Sequence, residues 1–388
     1  MQDFYYSIPT KIYFGKDAVN HLTDCVKECG SKALLVYGKG SIKKNGLYDI
    51  ITGMLSDAEI AYEELSGVDA NPRITTVRDG VEICKTQGID VVIPIGGGST
   101  IDCAKAVAAG ACYDGDAWEL IEDNSRVKKA LPIIAVPTIA ATGSEMDYFS
   151  VITNQEKKLK KEIANENLYP VYALLDPQLT FSVSPYQTAC GTVDMFSHIM
   201  EVYFAPIPGT EIQDRIMEGL MKTMVQEGPK ALKNPSDYDA RANLLWASEW
   251  AINGFICSGK LGPWPAHAIE HQLSAWYDVT HGHGLAVVIP ELLRHILNEK
   301  SAPTIAAYGV NVFGITMGND IVETAERAID KTEEFFKSLG LGLKLKDLGI
   351  TSEEHFDKMA EVALTDGLDG CLVNLTKEDI IDIYKSCE

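Results

Sequence analysis

"VVIPIGGGSTIDCAKAVAAG", residues 91–110, decides the fold class. A short apolar run rich in β-branched residues stops at three consecutive glycines, and a small-residue helical pattern follows. A strand that turns on glycine into a helix is the repeating unit of a parallel α/β sheet with right-handed crossovers. Outward from this stretch the alternation continues. "ALLVYG" (33–38), "IAYEEL" (60–65), "LPIIAVPT" (131–138) and "YALLDP" (172–177) have strand character, whereas "LYDIITGMLSDA" (47–58) and "ITTVRDGVEICKTQG" (74–88) have helical spacing. Beyond residue 178 strand signals fade. Ile212, Ile216, Met217, Leu220, Met221 and Met224 form one apolar stripe at helical steps, which is core-forming. The pattern predicts an α/β domain over residues 1–178 and an all-α domain over 179–388.

Composition narrows the function classes. The 388 residues are 46% apolar and 23% charged, as in an ordinary globular protein. The formal net charge is −21, from 55 acidic against 34 basic residues, and such a surface repels nucleic acid and anionic lipid. No apolar run approaches the ~20 residues that span a bilayer. "MQDFYYSIPTKIYFG" lacks a basic start and a long apolar core, so no signal peptide is expected. The nine cysteines are odd in number and contain no CxxC pair, which fits reduced thiols in the cytoplasm rather than a disulfide framework.

The glycine turn is the strongest nucleotide signal. Glycines without Cβ let the backbone approach a ligand, and the N–H groups opening the next helix favour a phosphate. Ser99 and Thr100 add hydroxyls, although a glycine turn between strand and helix is often structural. "YGKGSIKKNG" (37–46) follows the first α/β strand, where an NAD enzyme places a carboxylate on the ribose 2′-hydroxyl. Gly38, Lys39, Gly40, Ser41, Lys43 and Lys44 stand there instead. Glycine leaves room for a 2′-phosphate, serine can bond it and lysine can neutralise it, so NADPH is expected, with NAD possible. "AVPTIAATGSEMD" (135–147) places Thr138, Thr142 and Ser144 at a strand's carboxyl end, the usual ligand position in open α/β sheets.

"ACGTVDMFSHIMEVY" (189–203) sets Asp194 and His198 four residues apart on a helix that is otherwise apolar. Four of the eight histidines then fall within "HAIEHQLSAWYDVTHGH" (267–283): His267, His271, His281 and His283. One carboxylate and three imidazoles would suit a divalent metal such as Zn²⁺ or Fe²⁺. Five imidazoles compete for those three places, and spacing does not choose among them. HExxH is absent, so a zincin protease has no support.

With these segments in order, the sequence resembles the iron-containing (group III) alcohol dehydrogenases, with similarity to their NADPH-dependent butanol dehydrogenase branch. "IPTKIYFG", "VYGKGSIKKNG", "PIGGGSTIDCAKA", "VPTIAATGSE", "YALLDP", "GTVDMFSHIMEVY" and "WPAHAIEHQLSAWYDVTHGHGLAVVIP" carry the resemblance over nearly the whole chain. It implies a Rossmann-like N-terminal domain and a helical C-terminal domain of the dehydroquinate synthase-like architecture, with dinucleotide and metal meeting in the cleft between them. It assigns the metal to Asp194, His198, His267 and His281, leaves His271 close by without coordinating, and excludes His283. Its cofactor contacts fall on Gly38, Ser41, Asn71, Gly97, Gly98, Ser99, Asp102, Thr138, Thr142 and Lys160. The family's turn often runs PTTxGTGSE; Ile139 and Ala141 depart from it. Iron and zinc both occur in the family, and homodimers are its usual assembly.

The expected reaction is reversible hydride transfer between NADPH and a small aliphatic or aromatic aldehyde, with a metal as Lewis acid and His271 relaying the proton. Phe255, Trp264, Pro265, Trp276 and Tyr277 give the histidine segment apolar neighbours, and Lys260 is its one nearby cation. The rival is a metal- and NAD-using lyase of the dehydroquinate synthase type, which would need more cations for an anionic substrate. A nucleotide-binding protein without catalysis is a second alternative. "FYYSIPTKIYFG" could pair as edge strands across a two-fold axis.

Overall fold

The computed structural model describes residues 1–388 and, of residue 366, the backbone alone. The chain forms two compact units: Ser7–Val183 with Ser236–Glu249, and Met1–Tyr6 with Ser184–Pro235 and Trp250–Glu388. The long segment of the first unit ends at Val183. Two short pieces, however, fold with the half to which they are not contiguous.

The first unit is built on eight strands: β1 (Lys11–Phe14), β2 (Lys32–Tyr37), β3 (Ala61–Leu65), β4 (Val91–Gly96), β5 (Ile134–Pro137), β6 (Phe149–Asn154), β7 (Leu159–Ala164) and β8 (Tyr172–Leu175). Six make a parallel sheet in the order β1-β8-β5-β4-β2-β3, and β6 and β7 form a separate antiparallel hairpin. The crossovers carry α1 (Leu22–Cys29), α2 (Ser41–Lys44), α3 (Leu47–Asp57), α4 (Ile74–Gln87), α5 (Gly98–Ala111) and α6 (Ala117–Glu122). The strands are continuous apolar runs because both faces are covered. Leu34, Val36 and Val92 point into one apolar layer with Val77, Ala104 and Val107 of α4 and α5. Their neighbours Ala33, Leu35, Val91 and Ile93 point into the opposite layer with Leu22, Val26, Ile51 and Leu55 of α1 and α3. That alternation is the two-residue period of a strand.

After β3 the chain returns to the other side of β2 to add β4, so the strand order reverses between these neighbours. Ligands of open α/β sheets bind outside the carboxyl ends of strands at such a reversal. Gly38 and Gly97 immediately follow the two strand ends.

The second unit is helical: α7 (Pro185–Tyr203), α8 (Glu211–Lys233), α10 (Pro265–Tyr277), α11 (His281–Ile296), α12 (Ala302–Tyr308), α13 (Ile321–Ser338), α14 (Phe356–Ala363) and α15 (Lys377–Ser386), while most of α9 (Tyr238–Ile252) belongs to the first unit. Ser184 caps α7 by accepting from the Gln187 N–H, and Pro185 fills its first position. Every residue of α7 from Thr188 to Tyr203 is buried. One side packs Phe196 among Tyr308, Phe335 and Phe336 at centroid distances of 5.4–6.3 Å. Full burial of such a side chain contributes roughly 1.5–3 kcal/mol. The other side carries Asp194, His198 and Glu201, all buried and spaced four and three residues apart. Among the described residues no helix is long and apolar enough to cross a membrane.

Candidate active site

Asp194, the acid in the apolar helix, faces imidazoles. Its Oδ1 lies 3.5 Å from Nε2 of His198 and 3.5 Å from Nε2 of His281. Donor atoms of Asp194, His267 and His281 all fall within 4.8 Å of one another. The His198 ring stacks on that of His267 at 5.0 Å, which sets the fourth expected ligand beside Asp194 and His267. Such an oxygen and nitrogen set fits a first-row divalent cation. Burial holds His198 well below the usual imidazole range, and nearby His267 adds to this, so its ring is neutral with a lone pair to give.

Three helices hold this geometry. Pro265 starts α10, and the stripe of His267, Glu270, His271 and Ser274 occupies one face of that helix. α10 ends at Asp278, whose left-handed φ of 57° releases the chain into the turn before α11. α11 then begins at His281 itself. Gly282 makes the approach to α7 possible, because a β-carbon there would overlap the carbonyl of Cys190. Gly284 does the same for Glu270, whose Oε1 would stand 2.5 Å from a β-carbon at that position.

The remaining histidines separate. His271 lies beside the cluster, its ring 5.4 Å from His281 and 6.0 Å from His267. His283 turns away: its Nε2 is 2.8 Å from the Gly342 carbonyl and its Nδ1 3.1 Å from the Tyr186 hydroxyl. Trp264 packs against His198 and His267 at 5.5 and 4.9 Å. Trp276 and Tyr277 instead pack on His355, at 4.5 and 6.1 Å. Lys260 is buried and bonded to Asp214 Oδ1 at 2.5 Å.

Two acids absent from the sequence-based expectations complete the cluster. Glu201 accepts hydrogen bonds from the Ala266 N–H and, at 2.7 Å, from Nδ1 of His267. Glu270 bonds Nδ1 of His281 through Oε2 and accepts from the Ser274 hydroxyl at 2.6 Å. Burial pushes the Glu201 carboxyl well above its usual range, against the opposing pull of the Ala266 and His267 backbone N–H groups. A buried glutamate within each apolar histidine helix was the available sequence signal.

In the α/β unit the expected cofactor residues gather around the start of α5. Gly97 caps this helix, and the Thr100 and Ile101 N–H groups return to the Gly97 carbonyl at 2.9 and 3.2 Å. β-Carbons at Gly97 and Gly98 would collide with Ile139 and Thr142, so these glycines also admit the 138–144 turn. Ser99 donates its hydroxyl to the Ala70 carbonyl beside buried Asn71. Thr138 bonds back to Gly96 through its N–H at 2.9 Å. Asp102 accepts from the Ser144 hydroxyl at 2.7 Å and the Val151 N–H at 2.9 Å, which ties α5 to the turn and to β6. Burial raises its carboxyl, while Lys105 and Lys160 pull it down. Lys160 sits on β7, paired with Thr153.

On the neighbouring strand end, Gly38 opens the loop and Ser41 starts α2. Two lysines of this loop are already engaged. Lys39 pairs with Asp69 at 2.6 Å, and Lys43 lies over the Tyr37 and Tyr48 rings, 3.7 Å from Glu64.

Comparison with known proteins covers both units. The family described as "Iron-containing alcohol dehydrogenase" matches residues 9–177, and the family described as "Fe-containing alcohol dehydrogenase family, C-terminal" matches residues 188–387. NADH-dependent butanol dehydrogenase A of Clostridium acetobutylicum is 46% identical over 387 residues, 99% of each chain. The NADPH-dependent aldehyde reductase of Escherichia coli is 35% identical over 353 residues, 90% of each chain. The crystal structure of NADH-dependent butanol dehydrogenase A from Thermotoga maritima matches with a TM-score of 0.94 and 37% identity, covering 100% of this chain and 99% of that one.

Proposed function

Because the chain belongs to the iron-containing alcohol dehydrogenase family, we propose that it is a metal-dependent alcohol dehydrogenase or aldehyde reductase, moving hydride between NAD(P)H and a small aldehyde. The observation that carries this reading is the convergence of Asp194, His267 and His281 within 4.8 Å, with His198 stacked against them. These four residues would hold one divalent cation, iron or zinc, which supplies Lewis acidity toward a carbonyl oxygen. NAD(P)H supplies the hydride.

The chain's own residues then have distinct tasks. Asp194 contributes the ligand negative charge, and His198 offers a neutral nitrogen because burial keeps the proton off it. Trp264 shields His198 and His267 from water. His271 is our candidate to deliver the proton that the product alcohol acquires at oxygen. In the α/β unit, N–H groups of Gly98 and Ser99 lie in the first turn of α5, where no intrahelical carbonyl is available, and they suit a pyrophosphate. Gly38, Ser41, Asn71, Asp102, Thr138, Thr142 and Lys160 are assigned to the rest of the dinucleotide. Relatives named for NADH and for NADPH both occur. The open Gly38–Ser41 turn and exposed Lys44 support use of NADPH, with NADH also accepted.

Substrates are proposed to be aliphatic or aromatic aldehydes. The commitment of Lys260 to Asp214 supports this, since a phosphorylated substrate of the lyase rival would need that cation. A homodimer is supported by β1, an edge strand carrying Tyr13 and Phe14 at 37% and 43% exposure. Residence in the cytoplasm is supported by nine thiol cysteines.

The test is oxidation of NADPH and NADH in the presence of butanal, before and after chelation. Turnover lost on chelation and restored by Fe²⁺ or Zn²⁺ is expected. Undiminished turnover in metal-free protein overturns the assignment.

A further inference from the structure

We infer that Glu201 and Glu270 are positioning residues that fix the tautomer and orientation of two metal-ligand histidines, in a relay running from α7 to α10 to α11. The inference rests on the metal reading above and concerns two residues outside the four proposed ligands. Glu201 of α7 meets Nδ1 of His267 on α10 at 2.7 Å. Glu270 of α10 meets Nδ1 of His281 on α11. Each contact crosses from one helix to the next, and both carboxylates are buried, with Glu270 fully enclosed.

The chemistry follows from what a carboxylate can do. An ionised carboxylate only accepts hydrogen bonds, and the Ala266 N–H on Glu201 and the Ser274 hydroxyl on Glu270 favour that form, so the imidazole nitrogen facing each carries the proton. The proton on Nδ1 leaves the lone pair on Nε2, the nitrogen that His281 turns toward Asp194 at 3.5 Å. A carboxylate behind a ligating histidine also raises its basicity and restrains ring rotation. Donors surround both acids in the way an anion requires. Glu201 receives the Ala266 N–H on its other oxygen, and Glu270 receives the Ser274 hydroxyl. The third histidine is built differently: Nδ1 of His198 is buried and has no hydrogen-bond partner among the described residues. Two of the three imidazoles are therefore held from behind, whereas His198 is steadied by stacking on His267 and by the tilted Trp264 ring.

Spacing makes the relay possible. Glu201 lies seven residues after Asp194, and Glu270 three after His267, so each helix offers a ligand and a brace on one face. Gly284 leaves the volume that the Glu270 carboxylate occupies against α11.

The test uses the full chain labelled with ¹⁵N-histidine, metal-free and loaded with Zn²⁺. Long-range ¹H–¹⁵N correlations should show the Nδ1–H tautomer at His267 and His281. Glu201→Gln and Glu270→Gln should each weaken Zn²⁺ binding, measured by competition with a chromophoric chelator, by about 10–100-fold. Metal-free melting temperatures serve as the control for folding. An Nε2–H tautomer at either histidine in the wild-type chain overturns the inference, and that measurement needs no variant to fold. Wild-type affinity in both Gln variants overturns it as well. A wild-type chain that binds no Zn²⁺ or Fe²⁺ would remove the proposed function itself, a distinct result.

Discussion

Gly282 lies so close to the carbonyl of Cys190 that any β-carbon would drive α11 away from α7. The two helices touch backbone to backbone at this point, one residue from His281 and four from Asp194. The ligand set therefore depends on a residue that binds nothing. Gly282→Ala is expected to cost about 1–3 kcal/mol in stability, the usual range for overpacking. It should also reduce metal content at purification. Metal analysis with thermal unfolding checks this; full occupancy and unchanged stability would contradict it.

His271 stands beside the cluster but outside the four ligands. His271→Gln should keep bound metal and lower turnover by about 100-fold or more, in line with loss of a general acid. The loss should vary with pH, because an imidazole can take up and release a proton and an amide cannot. A pH–rate profile of unchanged shape would remove the role.

Glu145 and Glu249 form a buried carboxyl pair within the α/β unit, near Asp102, Lys105 and Asp147. Burial raises both carboxyls, Glu249 well above its usual range with the neighbouring Glu145 adding to the rise, so the pair retains a proton where free glutamates would lose theirs. In the unfolded chain these groups titrate near 4.5. Below that pH both states hold their protons and the contribution to stability is full. As pH rises, the unfolded chain releases protons that the folded chain retains, so stability falls until the folded groups also ionise. Glu249→Gln cannot ionise and should flatten this slope. Its melting temperature, relative to wild type, should be higher at pH 8 than at pH 5 by about 2–4 °C, roughly 1 kcal/mol for a unit of this size. Parallel pH dependences would refute the retained proton.

Lys39 is held by Asp69, whose carboxylate stays below its ordinary range because of that contact and the one from Arg73. Asp69→Asn releases the lysine toward the position expected for a ribose 2′-phosphate. The ratio of kcat/KM for NADPH over NADH should rise by up to about 5-fold, the scale of one exposed ion pair. Steady-state kinetics with both dinucleotides decides this; an unchanged ratio places Lys39 outside cofactor selection.

Much of this molecule is legible in residue order, where short-range pattern carries the information. The run 91–110 becomes β4 and α5 because a β-branched apolar stretch, a glycine turn and a small-residue helix are local properties. The Asp194 and His198 pair is readable for the same reason. The β6–β7 hairpin escaped, since its second strand, "LKKEIA", is lysine-rich and half exposed. The role of Gly282 escaped because its partner lies 92 residues away, and nothing local marks the contact. Glu201 and Glu270 were partly readable. Carboxylates inside apolar helices call for partners, but which histidine each one meets is a tertiary fact. The ion pairs of Lys39 and Lys43 were not legible locally, as their acid partners Asp69 and Glu64 lie in a neighbouring segment.

Residues Ser236–Glu249 fold with the α/β unit although 52 residues of the other unit precede them in the chain, Ser184–Pro235. Leu245 packs on Ala173 and Leu175 of β8, so this strand's apolar surface waits for a helix made much later. A growing polypeptide on the ribosome cannot complete its first unit until residue 249 has left the exit tunnel. Expressing only the first 183 residues would leave that surface exposed and prone to aggregation.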